Sequence, residues 1–185
     1  MISLRKINVL LTIIAILMLL NHAVLLVLYF YGFISYSPSF YMTGRNLFYP
    51  VVAHIIISLY LHFKDTSRGV NRYHNLNSET NQQFITGILM IIFITLHIMG
   101  YSSYHLVELN TFYSVIYHFT VDALMFTSIV THLRVSIPKL MISLGFLGKK
   151  EAYHNFKKWT NWASLIILIV LILGEVIYYM GGFSW

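Results

Sequence analysis

The sequence predicts an all-α membrane protein, a bundle of five transmembrane helices. Of its 185 residues, 58% are hydrophobic and only 10% are charged, whereas a soluble domain averages about 25% charged residues. Five long apolar segments make up most of the chain, and the polar stretches between them are too short for a separate soluble domain. We therefore expect one membrane domain over residues 1–185. The segments run approximately over residues 7–33, 47–64, 82–104, 112–144 and 159–180.

Each segment is interpreted as one crossing, since a bilayer-spanning helix needs about 20 mainly apolar residues. The first segment follows Arg5 and Lys6, as a signal sequence would, but it is too long for one and no small-residue cleavage site follows it. The second is short, and Tyr49 and Tyr60 are expected to serve as interfacial residues. The fourth is long and contains Pro138, so we expect it to kink or to project beyond the membrane at its C-terminal end.

The twelve basic residues indicate the orientation of these helices. With five crossings, eleven of them fall on one side and only Arg45 on the other. Loops rich in Lys and Arg stay cytoplasmic, so we expect the N-terminus inside, the C-terminus outside and the protein in the cell's inner, cytoplasmic membrane. The eleven are Arg5, Lys6, Lys64, Arg68, Arg72, Arg134, Lys139, Lys149, Lys150, Lys157 and Lys158. The net charge of +6 therefore fits membrane topology better than nucleic-acid binding.

Cysteine is absent from this chain. Its absence excludes disulfides, thiolate-bound zinc or iron–sulfur clusters, a catalytic thiol and the C-x-x-C-H site that attaches haem covalently. Any haem in this protein would therefore be b-type, held by coordination and packing.

Four histidines lie where lipid should exclude them. His22, His54, His97 and His132 each fall in a different apolar segment. Ionisable side chains within a bilayer are expensive and commonly mark a functional site, and neutral imidazole is a favoured ligand of haem iron. Four such helices predict sites for two haems. The structural alternative is that each histidine hydrogen-bonds a neighbouring helix.

Helix rise sorts these histidines by depth. His22 and His97 lie ~15 and ~13 residues into helices that begin inside, which places both in the outer half of the membrane. His54 and His132 lie on inward-running helices, each with roughly ten helical residues left before its basic cluster. An outer pair and an inner pair follow, which would suit two bis-imidazole haems. His118 remains open as an outer ligand, because it shares a helical face with His132.

The third segment contains a longer motif, which reads Gln83-Phe-Ile-Thr-Gly87-Ile-Leu-Met-Ile-Ile-Phe-Ile-Thr-Leu-His97. It resembles the Gln-x-x-Thr-Gly…His stretch of the di-haem cytochrome b anchor subunit of succinate dehydrogenases and fumarate reductases, the single-anchor, five-helix type. The likeness extends over most of the chain. His22 after Asn21 and His54 after Ala53 resemble the first two haem histidines of that family. His132 precedes Leu144-Gly145-Phe146 at a distance similar to that between the fourth ligand and its Trp-Gly pair.

The resemblance implies a cofactor set and partners. It assigns His22 and His97 to an outer haem b, assigns His54 and His132 to an inner one, and demotes His118. It implies a flavoprotein subunit with FAD, an iron–sulfur subunit, and a membrane quinone, usually menaquinone, near the outer face. Succinate and fumarate chemistry would belong to the flavoprotein, so the anchor itself would carry electrons.

The chain departs from the family at two positions. Some members have Arg after the glutamine of the motif, where this chain has Phe84. Some fumarate reductases have Glu two residues before the fourth ligand, on a proposed proton path, where this chain has Val130.

Other polar residues become candidates for quinone or proton chemistry. They are Asp122, Glu175 and His118 in the apolar segments, and Glu108 and Arg45 in the outer loops. A carboxyl in low dielectric can cycle protons with a quinol. Asp122 also stands at i, i+4 from His118, so an ion pair or hydrogen bond between them is the structural alternative. Glu175 is alternatively an interfacial residue, and Arg134 would meet either a haem propionate or a lipid phosphate.

Two other functions remain open. The first is the cytochrome b anchor of a hydrogenase or another quinone-linked dehydrogenase, which shares the haem chemistry. The second is a haem-free membrane transporter or assembly factor, whose histidines would be structural or would carry protons.

Overall fold

The computed structural model describes residues 3–67, 74–103 and 112–180, and within these ranges it contains five α-helices. They are α1 (Leu4–Phe30), α2 (Pro38–Ser67), α3 (His74–Ser103), α4 (Phe112–Ser143) and α5 (Lys150–Met180). All five are long and apolar enough to cross a membrane. The prediction of an all-α, five-helix membrane protein is therefore confirmed.

The helix ends differ from the predicted ones most at α2 and α5. Both begin earlier, at Pro38 and Lys150, because their first turns are polar or mixed and hydropathy does not register them. Arg45 consequently lies within α2 and not in a loop, which corrects the prediction. α4 runs through Pro138, whose side chain is fully buried, as far as Ser143. Glu108, Arg68 and Arg72 lie outside the described residues.

The chain divides into two compact units, Met1–His74 and Asn75–Trp185. In the first unit, α1 and α2 form an antiparallel hairpin. Polar contacts follow one another along it, including Arg5 with Asp65 at 2.8 Å and Asn8 with Ser58 at 3.1 Å. Two residues after α1 ends, Gly32 has a positive φ of 73°, which lets the next amide, that of Phe33, bond back to the Leu28 carbonyl. The hairpin thus has both a ladder of polar contacts and a defined turn.

The second unit contains α3, α4 and α5. α4 supplies most of its buried apolar side chains, and α5 adds Leu171. Two residues after α4 ends, Gly145 has a φ of 84°, and the amide of Phe146 bonds back to the Met141 carbonyl, as at the end of α1. Glu79 of α3 contacts two residues of α5: it forms an ion pair with Lys157 and accepts a hydrogen bond from the Tyr153 hydroxyl at 2.7 Å. The start of α3 and the start of α5 therefore lie side by side.

Large apolar side chains remain exposed along all five helices. Leu17 of α1 is 62% exposed, Ile56 of α2 is also 62% exposed, and Ile166 of α5 is 59% exposed. Soluble proteins rarely leave such extended apolar surface in water, whereas lipid is its natural solvent. The chain is a multi-pass membrane protein whose helices contact lipid.

Candidate functional site: four histidines and a buried carboxyl cluster

His22 is held from α2 by a threonine. Its Nδ1 lies 3.0 Å from the Thr43 hydroxyl, and that hydroxyl donates its one hydrogen to the Phe40 carbonyl at 2.7 Å. The Thr43 oxygen therefore accepts from the His22 ring, so Nδ1 carries the proton. Gly44 follows, and a Cβ at this position would stand 3.2 Å from His22 Cε1. The Thr-Gly pair thus orients the ring and leaves room for it.

His54 is held in the same way from α1. Its Nδ1 lies 3.0 Å from the Thr12 hydroxyl, which donates to the Asn8 carbonyl at 2.8 Å. Ser58 lies one turn further along α2, with its hydroxyl 3.4 Å from His54 Nε2 and within 3.2 Å of the Asn8 amide oxygen. The shorter of these two contacts directs the serine hydrogen to Asn8, so Nδ1 of His54 is again the protonated nitrogen.

His132 is held by the motif that begins the apolar part of α3. Its Nδ1 lies 3.2 Å from both the Thr86 hydroxyl and the Gln83 carbonyl, and Thr86 donates to the Gln82 carbonyl at 2.8 Å. Both neighbours of Nδ1 are therefore acceptors. A Cβ on Gly87 would stand at an ordinary 3.6 Å from the ring. The Gln-x-x-Thr-Gly stretch thus holds the histidine of α4 and not His97, the last residue of the same motif.

His97 is held by a carboxylate. Its Nδ1 lies 2.6 Å from Asp122 Oδ1, and Asp122 is almost fully buried on α4. A short hydrogen bond to an ionised acceptor is among the stronger kinds. The expected alternative for Asp122, a bond to His118 on its own helix, is wrong, because the two carboxylate oxygens bond His97 and Tyr101 on α3.

The four histidines therefore share one arrangement. In each, Nδ1 faces a hydroxyl, carbonyl or carboxylate oxygen on a neighbouring helix. Histidines that bind a metal through Nε2 typically have Nδ1 fixed by such a partner. A haem needs only two axial nitrogens, so the donor set fits this group. In the described part of the chain, no three His, Asp or Glu side chains gather as a site for a bare metal ion.

The histidines divide evenly between the two units. His22 and His54 belong to the first unit, and His97 and His132 belong to the second. Each pair predicted from depth takes one histidine from each unit.

A buried polar cluster surrounds Asp122 in the second unit. The Tyr101 hydroxyl donates to Asp122 Oδ2 at 2.9 Å, and Tyr179 of α5 lies close to it. The ring of His118, 3% exposed, lies against Tyr101 with centroids 4.6 Å apart. Glu175 of α5 is fully buried, and its oxygens hydrogen-bond no described residue. Three of the predicted quinone or proton residues thus belong to one cluster, in which the Glu175 side chain is fully buried.

The other predicted site residues lie apart from this cluster. Arg45 is exposed on α2, and Arg134 is half-buried on α4. Phe84 is half-buried on α3, and Val130 is buried in the core of the second unit. Glu108 lies outside the described residues.

Sequence reasoning missed the residues that hold His22 and His54. Thr-Gly occurs twice in the chain, as Thr43-Gly44 and Thr86-Gly87, and both pairs lie against a histidine of a neighbouring helix. The repeated dipeptide was the available signal. No sequence signal marked Thr12, because a single threonine in an apolar helix usually hydrogen-bonds a backbone carbonyl of that helix.

Comparison with known proteins adds no relative. No protein-family model, no curated protein and no solved structure matches the chain significantly.

Proposed function

We propose that this chain is the di-haem cytochrome b membrane subunit of a quinone-linked oxidoreductase, of the succinate dehydrogenase or fumarate reductase type. The observation that supports it best is the arrangement shared by the four membrane histidines. Each has Nδ1 held by an acceptor on a neighbouring helix, as histidines that bind a metal through Nε2 typically do.

The proposed axial ligands are His22 and His97 for an outer haem and His54 and His132 for an inner one. When bound, each haem would supply one-electron transfer between ferrous and ferric iron. The chain's own residues orient the imidazoles through Nδ1, and the apolar helices exclude water from them. Arg134 is the proposed cation for an inner propionate.

The partners in this proposal rest on the sequence resemblance. They are a flavoprotein with FAD and an iron–sulfur subunit on the inner face, and a quinone, usually menaquinone in such proteins, near the outer face. With the N-terminus inside, the exposed lysines Lys149, Lys150 and Lys158 face those subunits. Asp122, Glu175 and His118 are the proposed proton-handling groups near the quinone.

An optical spectrum of the purified protein with a haem assay tests the function. The proposal expects b-type bands on reduction and two haems per chain. Alanine variants test the pairing: His22→Ala together with His97→Ala should remove one haem, whereas His22→Ala together with His54→Ala should remove both. His154→Ala, at an exposed histidine of α5, is the matched control and should keep both. Absence of a haem band after expression with adequate haem supply would refute the proposal.

A haem-free protein that moves protons is the second candidate function. The buried His97–Asp122 contact of 2.6 Å, with a second buried carboxyl nearby, favours it, because intramembrane carboxyl and imidazole groups form proton relays in pumps and transporters. The same spectrum separates the two candidates.

A further inference from the structure

A basic pocket lies near the start of α5, apart from the four histidine sites and the cluster around Asp122. It has a volume of about 250 Å³ and is lined by His154, Lys157, Lys158 and Asn161. Their spacing of i, i+3, i+4 and i+7 places them on one face of the helix. Each of these side chains can donate hydrogen bonds, and the two lysines also carry positive charge. This lining favours an anion with several acceptor oxygens.

The positive charge of the basic pocket is only partly compensated. Lys157 forms an ion pair with Glu79 of α3, which directs its side chain toward that helix. Lys158 is exposed and forms no ion pair with a described residue. Residues 149–158 include four lysines and one glutamate, Glu151. Positive charge is therefore in excess at this end of α5 even when Glu79 is counted.

A second pocket with basic residues, in the first unit, differs in this respect. Arg5, Lys64 and Asp65 are among its lining residues. Both oxygens of Asp65 accept hydrogen bonds from Arg5, at 2.8 and 3.0 Å, and Lys64 Nζ lies 5.5 Å from the centroid of the Tyr60 ring. The cations of that pocket already have partners within the chain, so only the pocket of α5 has charge left for a ligand.

The face that carries the basic pocket continues into the apolar part of α5. Leu165 and Ile169 follow Asn161 at steps of four residues, and both are exposed. Trp162 is exposed beside them, and tryptophan is enriched where the hydrocarbon core meets the headgroups. The basic pocket thus lies at headgroup level, and an exposed apolar surface lies directly beyond it.

We propose that the basic pocket binds the headgroup of one anionic glycerophospholipid. The phosphate would accept hydrogen bonds from Lys157, Lys158 and Asn161, and an acyl chain would lie along Leu165 and Ile169. Basic pockets between transmembrane helices are typical sites for such headgroups. A soluble anion or a soluble protein would use the charges but not the apolar surface that continues the same face, so this surface favours a lipid.

The site is separate from the surface assigned to soluble subunits. Lys158 follows Lys150 by eight residues, which is about 12 Å along the helix. Lys149 and Lys150 can therefore contact subunits beyond the headgroups while a lipid occupies the basic pocket. The lipid site lies within the second unit and requires no haem, so it is compatible with either candidate function.

Native mass spectrometry of the full-length protein, released from detergent micelles that contain increasing amounts of phosphatidylglycerol, tests this site. The wild-type protein should retain one phosphatidylglycerol at a lower lipid concentration than it retains phosphatidylcholine. Lys158→Gln should raise the phosphatidylglycerol concentration for half-occupancy about fivefold, the effect of one cation near an anionic lipid. Lys150→Gln is the matched control, because it removes the same charge from an exposed lysine of the same helix, and it should titrate as the wild type does.

Two outcomes of this titration would overturn the proposal. Wild-type binding by Lys158→Gln would exclude a lipid at the basic pocket and leave this face to a soluble protein partner. Equal weakening in Lys158→Gln and Lys150→Gln would reduce the effect to general surface charge. Displacement of the lipid by an excess of inorganic phosphate would also overturn it, because the pocket would then bind anions without an acyl chain.

A third variant tests the role of Lys157. Glu79→Gln removes the carboxylate that pairs with Lys157, so it should strengthen phosphatidylglycerol binding although it weakens the contact between α3 and α5. Unchanged or weaker binding would refute the contribution of Lys157. A protein that shows the expected lipid titrations but binds no haem would refute the proposed function alone.

Discussion

If the proposed outer haem is present, replacing Thr43 by valine should weaken its binding by about 10–100-fold, the range typical of lost outer-shell partners of a metal ligand. Valine keeps the volume of threonine but removes the oxygen 3.0 Å from His22 Nδ1. That loss corresponds to about 1.4–2.7 kcal/mol of binding free energy. Thr86→Val should cost less than about tenfold, because the Gln83 carbonyl still accepts from His132 Nδ1 at 3.2 Å.

The measurement is the rate at which each purified variant loses haem to an excess of a haem-scavenging apoprotein, followed by absorbance. Thr43→Ser is the control, because it keeps the hydroxyl and should release haem at the wild-type rate. Equal rates for Thr43→Val and Thr43→Ser would refute the claim that this hydroxyl orients the ligand. A larger effect of Thr86→Val than of Thr43→Val would contradict the ranking drawn from the two sites.

Three further predictions concern packing and surface charge. Gly100→Ala should destabilise the second unit by about 1–3 kcal/mol, because its Cβ would stand 2.9 Å from Tyr117 Cε1. The loss can be measured by thermal unfolding in detergent. Gly87→Ala is the control and should leave the unfolding midpoint nearly unchanged, because its Cβ would be 3.6 Å from the nearest neighbour. Gly44→Ala should alter the reduced spectrum of the proposed outer haem, since its Cβ would stand 3.2 Å from His22. A spectrum identical to that of Gly87→Ala would contradict this. Glu79→Gln should lower the free energy of unfolding by only about 0.2–1 kcal/mol, because the ion pair with Lys157 is partly exposed. Chemical denaturation measures this, and a several-fold larger decrease would contradict the description of the pair as a surface contact.

The helices could be predicted from the sequence because a chain segment in lipid has few possible backbone structures. An apolar run of about 20 residues that crosses a membrane must satisfy its backbone internally, so it forms a helix. Hydropathy did not predict where α2 and α5 begin, because residues near their starts, such as Arg45 and Lys150, are polar. Proline at position 138 suggested an irregular end for α4, and the helix nevertheless continues to Ser143.

The partners of the histidines were not readable in the same way. When a helix is apolar on all sides, its sequence does not indicate which face packs against which neighbouring helix. Successive side chains are also rotated by about 100° around the helix axis, so a small error in the predicted face changes the predicted contacts. The i, i+4 rule therefore paired Asp122 with His118 on the same helix, while the packing of α3 against α4 pairs it with His97.

The sequence by itself determined that this is a five-helix membrane protein. It also identified the four histidines, Asp122 and Glu175 as unusual, because polar side chains within apolar segments are costly in lipid. Orientation in the membrane, the haems and the partners remain predictions. Only the tertiary structure decided which atoms these residues face: a hydroxyl or carboxylate at each Nδ1, two donors at Asp122 and none at Glu175. The physical reason is that hydrogen bonds depend on side-chain positions within a few tenths of an ångström, and helix packing sets those positions.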